Sequence, residues 1–343
     1  MEGRIMSDHL TTAADLLEAT IVIDGLGGSV VHPTPHVEKG WYEDQLLAAG
    51  WSAFHACLVS EPSYTPTWTQ VMAAIYENLV YLEASPRIKL CERADDIHEA
   101  QRQGKFGVFF GLQSTSCIEQ DRTRVRLLHK LGLRVLQLTY MERNFVGDGC
   151  LEPENRGLTN FGTQIVRECN RLGIIVDCSH VGSRTMLDAL HCSAAPVVVS
   201  HCGVRALCDN PRCITDEQIR ALAASGGLLG ITAYAPFIRY DRRPTLDDYV
   251  DQFDHAIDLV GPDHVAIATD MFDGKTKVNW ATPYYYPEVT RGSSFDALGV
   301  EGFNTKSELV NVVAAFLARG YDADAIRKIL GGNWLRVMEQ VWH

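Results

Sequence analysis

The chain has 343 residues, a formal net charge of −12 and 46% hydrophobic residues, the composition of a globular protein with a sizeable core. An acidic chain without a Lys/Arg cluster argues against nucleic acid or anionic lipid as partner, because both require a basic face that releases counterions. No apolar run approaches the roughly 18 residues of a membrane span and Met1–Ala19 lacks an apolar leader core, so a cytoplasmic protein with no membrane partner is expected.

Met1–Ala19 reads as an amphipathic helix. Eight apolar, β-branched runs follow, at Thr20–Asp24, Ala53–Val59, Phe106–Gly111, Arg134–Thr139, Gly173–Cys178, Pro196–Ser200, Gly227–Thr232 and His264–Thr269. Between them lie helical patterns at Val125–Leu131, Phe161–Leu172, Ser183–Leu190 and Thr215–Ala224, the last with Thr215 as N-cap and Glu217 and Gln218 in its first turn. Eight strands alternating with helices predict an α/β fold, a (β/α)8 TIM barrel. It is expected as a single domain over 1–343, with extra C-terminal helices at Lys306–Arg319 and Ala323–Gln340.

The irregular stretches Gly25–Tyr42, Glu142–Thr159 and Phe272–Asn304 all follow strands, which places them as lids at the carboxyl face, with Trp280, Tyr284, Tyr285 and Tyr286 as pocket walls. The ten cysteines are scattered, with no CxxC pair, and read as reduced thiols; Cys178 and Cys202 read as packing. His55, inside a strand, reads as a packed and hydrogen-bonded histidine.

Chemistry collects at the ends of strands. The runs Gly173-Ile174-Ile175-Val176-Asp177-Cys178-Ser179-His180 and Pro196-Val197-Val198-Val199-Ser200-His201 each stop at an imidazole, and His264-Val265-Ala266-Ile267-Ala268-Thr269-Asp270 stops at a carboxylate. A barrel built this way presents Asp24, Ser60, Gln113, Tyr140, His180, His201, Tyr234 and Asp270 near its carboxyl rim. Two neutral imidazoles can share one zinc ion, and a carboxylate on another strand end can take and return the proton of a metal-bound water.

At Val22-Ile23-Asp24-Gly25, Gly157-Leu158-Thr159-Asn160-Phe161-Gly162, Asn170-Arg171-Leu172-Gly173 through Ser179-His180-Val181, Val199-Ser200-His201, Thr269-Asp270-Met271-Phe272-Asp273-Gly274 and Gly332-Asn333-Trp334-Leu335-Arg336-Val337, the chain resembles the membrane (renal) dipeptidase family, peptidase family M19, of the metal-dependent amidohydrolase-like barrels. The likeness spans essentially the whole chain and implies a (β/α)8 zinc hydrolase that cleaves dipeptides. In that family two metals are held by a His-x-Asp after strand one, a bridging Glu after strand three, and the histidines ending strands five and six.

Here the first three of those positions read Leu26, Gly28 and Gln113, so the resemblance implies a microbial branch with an altered site. Two dications without an anionic protein ligand would leave about four positive charges uncompensated in a low-dielectric site, so at most one zinc ion, on His180 and His201, is expected. The resemblance further implies Asp270 as proton shuttle and Arg212 as the partner of a substrate carboxylate. Tyr140 stands where the family has a histidine that steadies the tetrahedral intermediate, with Gln113 beside it in that role and Tyr234 at the substrate. His32 and His36 are poor replacement ligands, because Pro33 and Pro35 preclude a helical pair.

The expected function is a dipeptidase-family hydrolase acting on a dipeptide or a small carboxylate-bearing amide. A decarboxylase, lyase or isomerase of a small carboxylate on the same scaffold, or an inactive binding homologue, stays open, as does homo-oligomerisation.

Overall fold

The computed structural model describes residues 2–28, 41–59, 65–271 and 299–343. Parallel strands run in the order β1 (Ile23–Gly28), β2 (Ala53–Cys57), β4 (Phe106–Leu112), β5 (Leu133–Gln137), β6 (Ile175–Asp177), β7 (Val197–Cys202), β8 (Leu228–Thr232) and β9 (Val265–Ala268). These eight are the expected barrel. A further strand, β3 (Ile88–Leu90), pairs outside the ring with β4 from Ile88 opposite Phe106. With three residues, one of them Lys89, it is too short to announce itself as an apolar run.

Alternation along each strand separates two cores. Ile23, Ala53, Phe109, Val135, Ile175, Val198, Leu228 and Ala266 share one cluster with Trp334 and Trp342 of the C-terminal helix region, whereas Val22, Phe54, Phe110, Leu136, Val176, Val199 and Leu229 pack with the surrounding helices. A fully buried side chain of Phe109's size is worth about 1.5–3 kcal/mol. Successive residues thus serve opposite faces, and a one-residue register slip would exchange the barrel filling for the helix contacts.

The first strand begins at Ile23 rather than Thr20 and extends to Gly28. Residues Thr20 to Val22 approach from the helix Glu2–Glu18, and the Val22 N–H is held by Ser52 Oγ at 3.0 Å, so pairing with β2 starts at Ile23 opposite Ala53. Helices occupy Thr123–Lys130, Asn160–Leu172, Ser183–Cys192 and Asp216–Ala224, close to their expected places. Thr215 is the N-cap: its Oγ1 accepts from Gln218 N at 3.3 Å and its N–H donates to Gln218 Oε1 at 3.0 Å.

The tail departs from two plain helices. A 3-10 turn at Lys306–Glu308 precedes the helix Leu309–Arg319, and the second stretch divides into Ala323–Arg327, a π-helical turn at Lys328–Gly332, and Asn333–Val341. The turn lies on the entry to β1. A Cβ at Gly331 would come within 2.1 Å of the Ile21 carbonyl oxygen, so only glycine permits this approach.

Candidate active site

His180 and His201 reach the carboxyl end of the barrel by different routes. His201 lies within β7, while His180 follows β6 by three residues with φ +62°, in the left-handed region. One carboxylate fastens both. Asp177 Oδ1 accepts the Ser179 N–H at 2.9 Å, the Ser179 hydroxyl at 2.8 Å and the Ser200 N–H at 3.0 Å, and Oδ2 accepts the Ser200 hydroxyl at 2.6 Å.

This arrangement brings His180 Nε2 to 2.9 Å from His201 Nε2. Both rings are buried, and burial, reinforced by the Arg212 charge, holds both pKa values well below the ordinary histidine range. They are therefore neutral, the state in which imidazole ligates metals. Gln113 Nε2 lies 3.3 Å from His201 Nε2, and its Oε1 accepts from Cys57 Sγ at 3.4 Å. Burial pushes the Cys57 thiol up to about 12, with the nearby charge of Asp270 adding to the shift. Tyr140 stacks on His180 with ring centroids 4.0 Å apart and planes 25° apart.

Asp270 follows β9 by two residues. It too has a left-handed backbone, φ +52°, and its N–H donates to Leu26 O at 2.9 Å. The preceding Thr269 is bonded through amide and hydroxyl to Asp24, and the fully buried Lys306 donates to Met271 O at 2.6 Å. A non-glycine residue in this region costs on the order of 1–3 kcal/mol and persists only where its surroundings over-determine it. His180 and Asp270 are both held in that way.

Arg212 is not a solvated loop arginine. It is 3% exposed, donates from Nη2 to His201 O at 2.8 Å, and lies with its guanidinium carbon 5.2 Å from the Phe237 ring centre. With His180, Arg205, Glu152 and Asn155 it lines a cavity of about 150 Å³. Tyr234 packs on the same Phe237, ring centres 4.8 Å apart.

Of the residues expected at the rim, His180, His201, Gln113 and Tyr140 are in direct contact, and Asp270 acts on Cys57 beside Gln113. Asp24 is a correction: its carboxylate is fully buried against Thr269 and Leu26 and serves the barrel wall. His55 is packed as expected, donating from Nδ1 to Gly25 O at 3.0 Å, but its buried Nε2 has no hydrogen-bond partner among the described residues. Cys178 and Cys202 are buried packing thiols. Ser60, His32, His36, Trp280, Tyr284, Tyr285 and Tyr286 lie outside the described residues.

Asp177, Ser200, Thr269 and Lys306 escaped the sequence reading as site residues. The available signal was a polar residue inside an otherwise apolar strand, Asp177 after Ile175-Val176 and Ser200 after Val197-Val198-Val199, where burial demands a hydrogen-bonded purpose.

The family model for membrane dipeptidase (peptidase family M19) matches residues 41–291 and 286–343. The chain belongs to the membrane dipeptidase family, peptidase family M19. It is a dipeptidase-family hydrolase of the metal-dependent amidohydrolase type. Dipeptidase tcpJ of Claviceps purpurea (strain 20.1) is 29% identical over 317 residues, covering 89% of this chain and 69% of the relative. A solved amidohydrolase from Pseudomonas aeruginosa is 29% identical with a TM-score of 0.85, covering 96% of this chain and 99% of its own. A metallo peptidase from Rhodobacter sphaeroides, solved with a phosphinate mimic of the dipeptide L-Ala-D-Ala, shares the fold at 22% identity and a TM-score of 0.78, over 94% of this chain and 100% of its own.

The donor set decides how a metal fits. Two neutral imidazole nitrogens 2.9 Å apart need to separate by only a few tenths of an ångström to reach the about 3.3 Å spacing of adjacent ligands on tetrahedral zinc. One ion would therefore fit on His180 and His201. Leu26 and Gly28 supply no ligand for a second. Among the described residues no group of three or more His, Cys, Asp or Glu side chains is arranged to hold a metal, and no helix is long and apolar enough to cross a membrane.

Proposed function

We propose that this member of the dipeptidase family hydrolyses a dipeptide or a small carboxylate-bearing amide at a site holding one divalent ion, zinc by preference, on His180 and His201. The observation that carries the reading is the convergence of two neutral imidazoles at the barrel mouth, beside a buried arginine. A bound ion would lower the pKa of a water toward about 7 and polarise the amide carbonyl.

The remaining steps belong to the protein. Asp270 takes the proton of the attacking water and returns it to the leaving amine. Arg212 pairs with the substrate carboxylate, which the reaction leaves unchanged, and so orients the scissile bond. The Tyr140 hydroxyl and the Gln113 amide donate toward the developing oxyanion, and Tyr234 walls the substrate. The ten free thiols suit a reducing cytoplasm.

The test is a screen of dipeptides of both chiralities and N-acyl amino acids with zinc-loaded protein, wild type beside Asp270→Asn. Asp270→Asn preserves shape and removes proton transfer, so kcat should fall by about a hundredfold or more with KM nearly unchanged. No hydrolysis by zinc-loaded wild type, or near wild-type kcat in the variant, would overturn the assignment.

A further inference from the structure

We propose that Asp177 and Ser200 are positioning residues that hold His201 in its Nδ1–H tautomer, so that its Nε2 lone pair is presented to the metal. The inference rests on the one-metal reading above, and it adds two residues and a proton position to it.

The argument is a count of protons. The Ser200 hydroxyl has one hydrogen and three contacts: 2.6 Å to Asp177 Oδ2, 2.8 Å to His201 Nδ1, and a longer 3.1 Å to Ser179 Oγ, whose own hydrogen goes to Asp177 Oδ1. A carboxylate oxygen can only accept, so the hydrogen goes to Asp177. The Ser200 oxygen then accepts from His201, whose Nδ1 must carry a proton. Reversing the order would set an oxygen lone pair against the Asp177 carboxylate at 2.6 Å. Asp177 cannot turn away, since its other oxygen is held by the Ser179 amide, the Ser179 hydroxyl and the Ser200 amide.

With Nδ1 protonated, His201 Nε2 is an acceptor. Its two neighbours agree, because His180 Nε2 at 2.9 Å and the Gln113 amide at 3.3 Å can both donate to it. The two histidines are thus unequal before metal arrives. His201 is pre-set as a ligand, whereas His180 carries its proton on the nitrogen that faces the site. Its other nitrogen, Nδ1, is buried without a hydrogen-bond partner among the described residues. To ligate through Nε2, His180 releases that proton to solvent and takes one up on Nδ1, so its net charge is unchanged. His201 needs no such exchange, and its supports, Asp177 and Ser200, are fully buried.

The test reads proton position and metal affinity separately. The chelator-stripped full chain is labelled with 15N-histidine, and the His201 signals are assigned in a long-range proton–nitrogen spectrum by their loss in His201→Gln. Wild-type His201 should show the Nδ1-protonated pattern; an Nε2-protonated pattern overturns the proposal. Ser200→Ala should release the tautomer and weaken zinc binding about 10- to 100-fold in competition with a chelating dye, the usual scale for losing a ligand's supporting hydrogen bond. Ser200→Thr, which keeps the hydroxyl, should restore both. A folded Ser200→Ala protein with wild-type tautomer and zinc affinity overturns the proposal too. If wild type binds no zinc, the one-metal function fails, while the wild-type tautomer still decides the roles of Asp177 and Ser200. That readout also stands if either Ser200 variant fails to fold.

Discussion

Thr269 donates twice to Asp24, from its amide to Oδ1 at 2.7 Å and from its hydroxyl to Oδ2 at 2.6 Å. This pair ties β9 to β1 where the barrel closes. The Thr269 hydroxyl oxygen also accepts the Met271 N–H at 3.2 Å, so the residue after Asp270 is tied to the threonine before it. The left-handed backbone of Asp270 is therefore supported by a fully buried residue.

Replacing Thr269 by valine keeps the shape and deletes the hydroxyl. We expect kcat to fall about tenfold, the equivalent of one hydrogen bond of about 1.4 kcal/mol, with KM within about twofold, and Thr269→Ser to restore activity. Steady-state kinetics on the first substrate found, with circular dichroism as the folding control, checks this. Wild-type kcat in Thr269→Val would show that Asp270 keeps its conformation unaided.

Acid should destabilise the fold. His180, His201 and His55 are all held below the ordinary value of 6.5, burial being the largest cause for each. Below about pH 6.5 the unfolded chain binds more protons than the folded one, so their contribution is present above that pH and lost as pH falls. Asp24 acts in the opposite sense. Burial raises it from 3.8 to about 6 against the pull of Lys306, so its contribution is complete below about pH 4 and is lost as pH rises through about 6. Three histidines outweigh one carboxylate, and urea midpoints should fall from pH 8 to pH 5. Midpoints that stay level or rise would contradict the buried, neutral state of the histidines.

Gly111 lies beneath His55. A Cβ there would stand 1.7 Å from His55 Nε2, and both residues are buried, so neither can yield. Gly111→Ala should cost about 3 kcal/mol, and adding His55→Ala should recover at least about 1 kcal/mol as a coupling term in a double-mutant cycle measured by urea unfolding. Strict additivity would mean that the backbone of β4, rather than the imidazole, resists the methyl group.

Gln113→Glu places a carboxylate beside His201 Nε2, where the amide now lies at 3.3 Å. Zinc affinity should rise about tenfold, since a charged ligand replaces a neutral one. The stoichiometry should stay at one ion, because Leu26 and Gly28 remain. Elemental analysis of protein equilibrated with zinc distinguishes the outcomes, and two ions per chain would reveal ligands supplied from elsewhere.

The barrel was legible in the sequence because its cause is local. Apolar β-branched runs alternate with capped amphipathic segments, and the capping pair Thr215 and Gln218 acts across three residues. The ends of those runs also named His180, His201 and Asp270, since a strand that stops at an imidazole or a carboxylate places it at the carboxyl face whatever its neighbours are. What sequence could not state is which polar groups meet across strands. Asp177 finds Ser200 across 23 positions and Asp24 finds Thr269 across 245, and no periodicity encodes such pairings. Arg212 is named by the resemblance alone, and only the fold turns it under His201. Burial removes water as an alternative partner, so the proton on His201 and the backbone of Asp270 are decided by side chains that only the closed barrel brings within hydrogen-bonding distance.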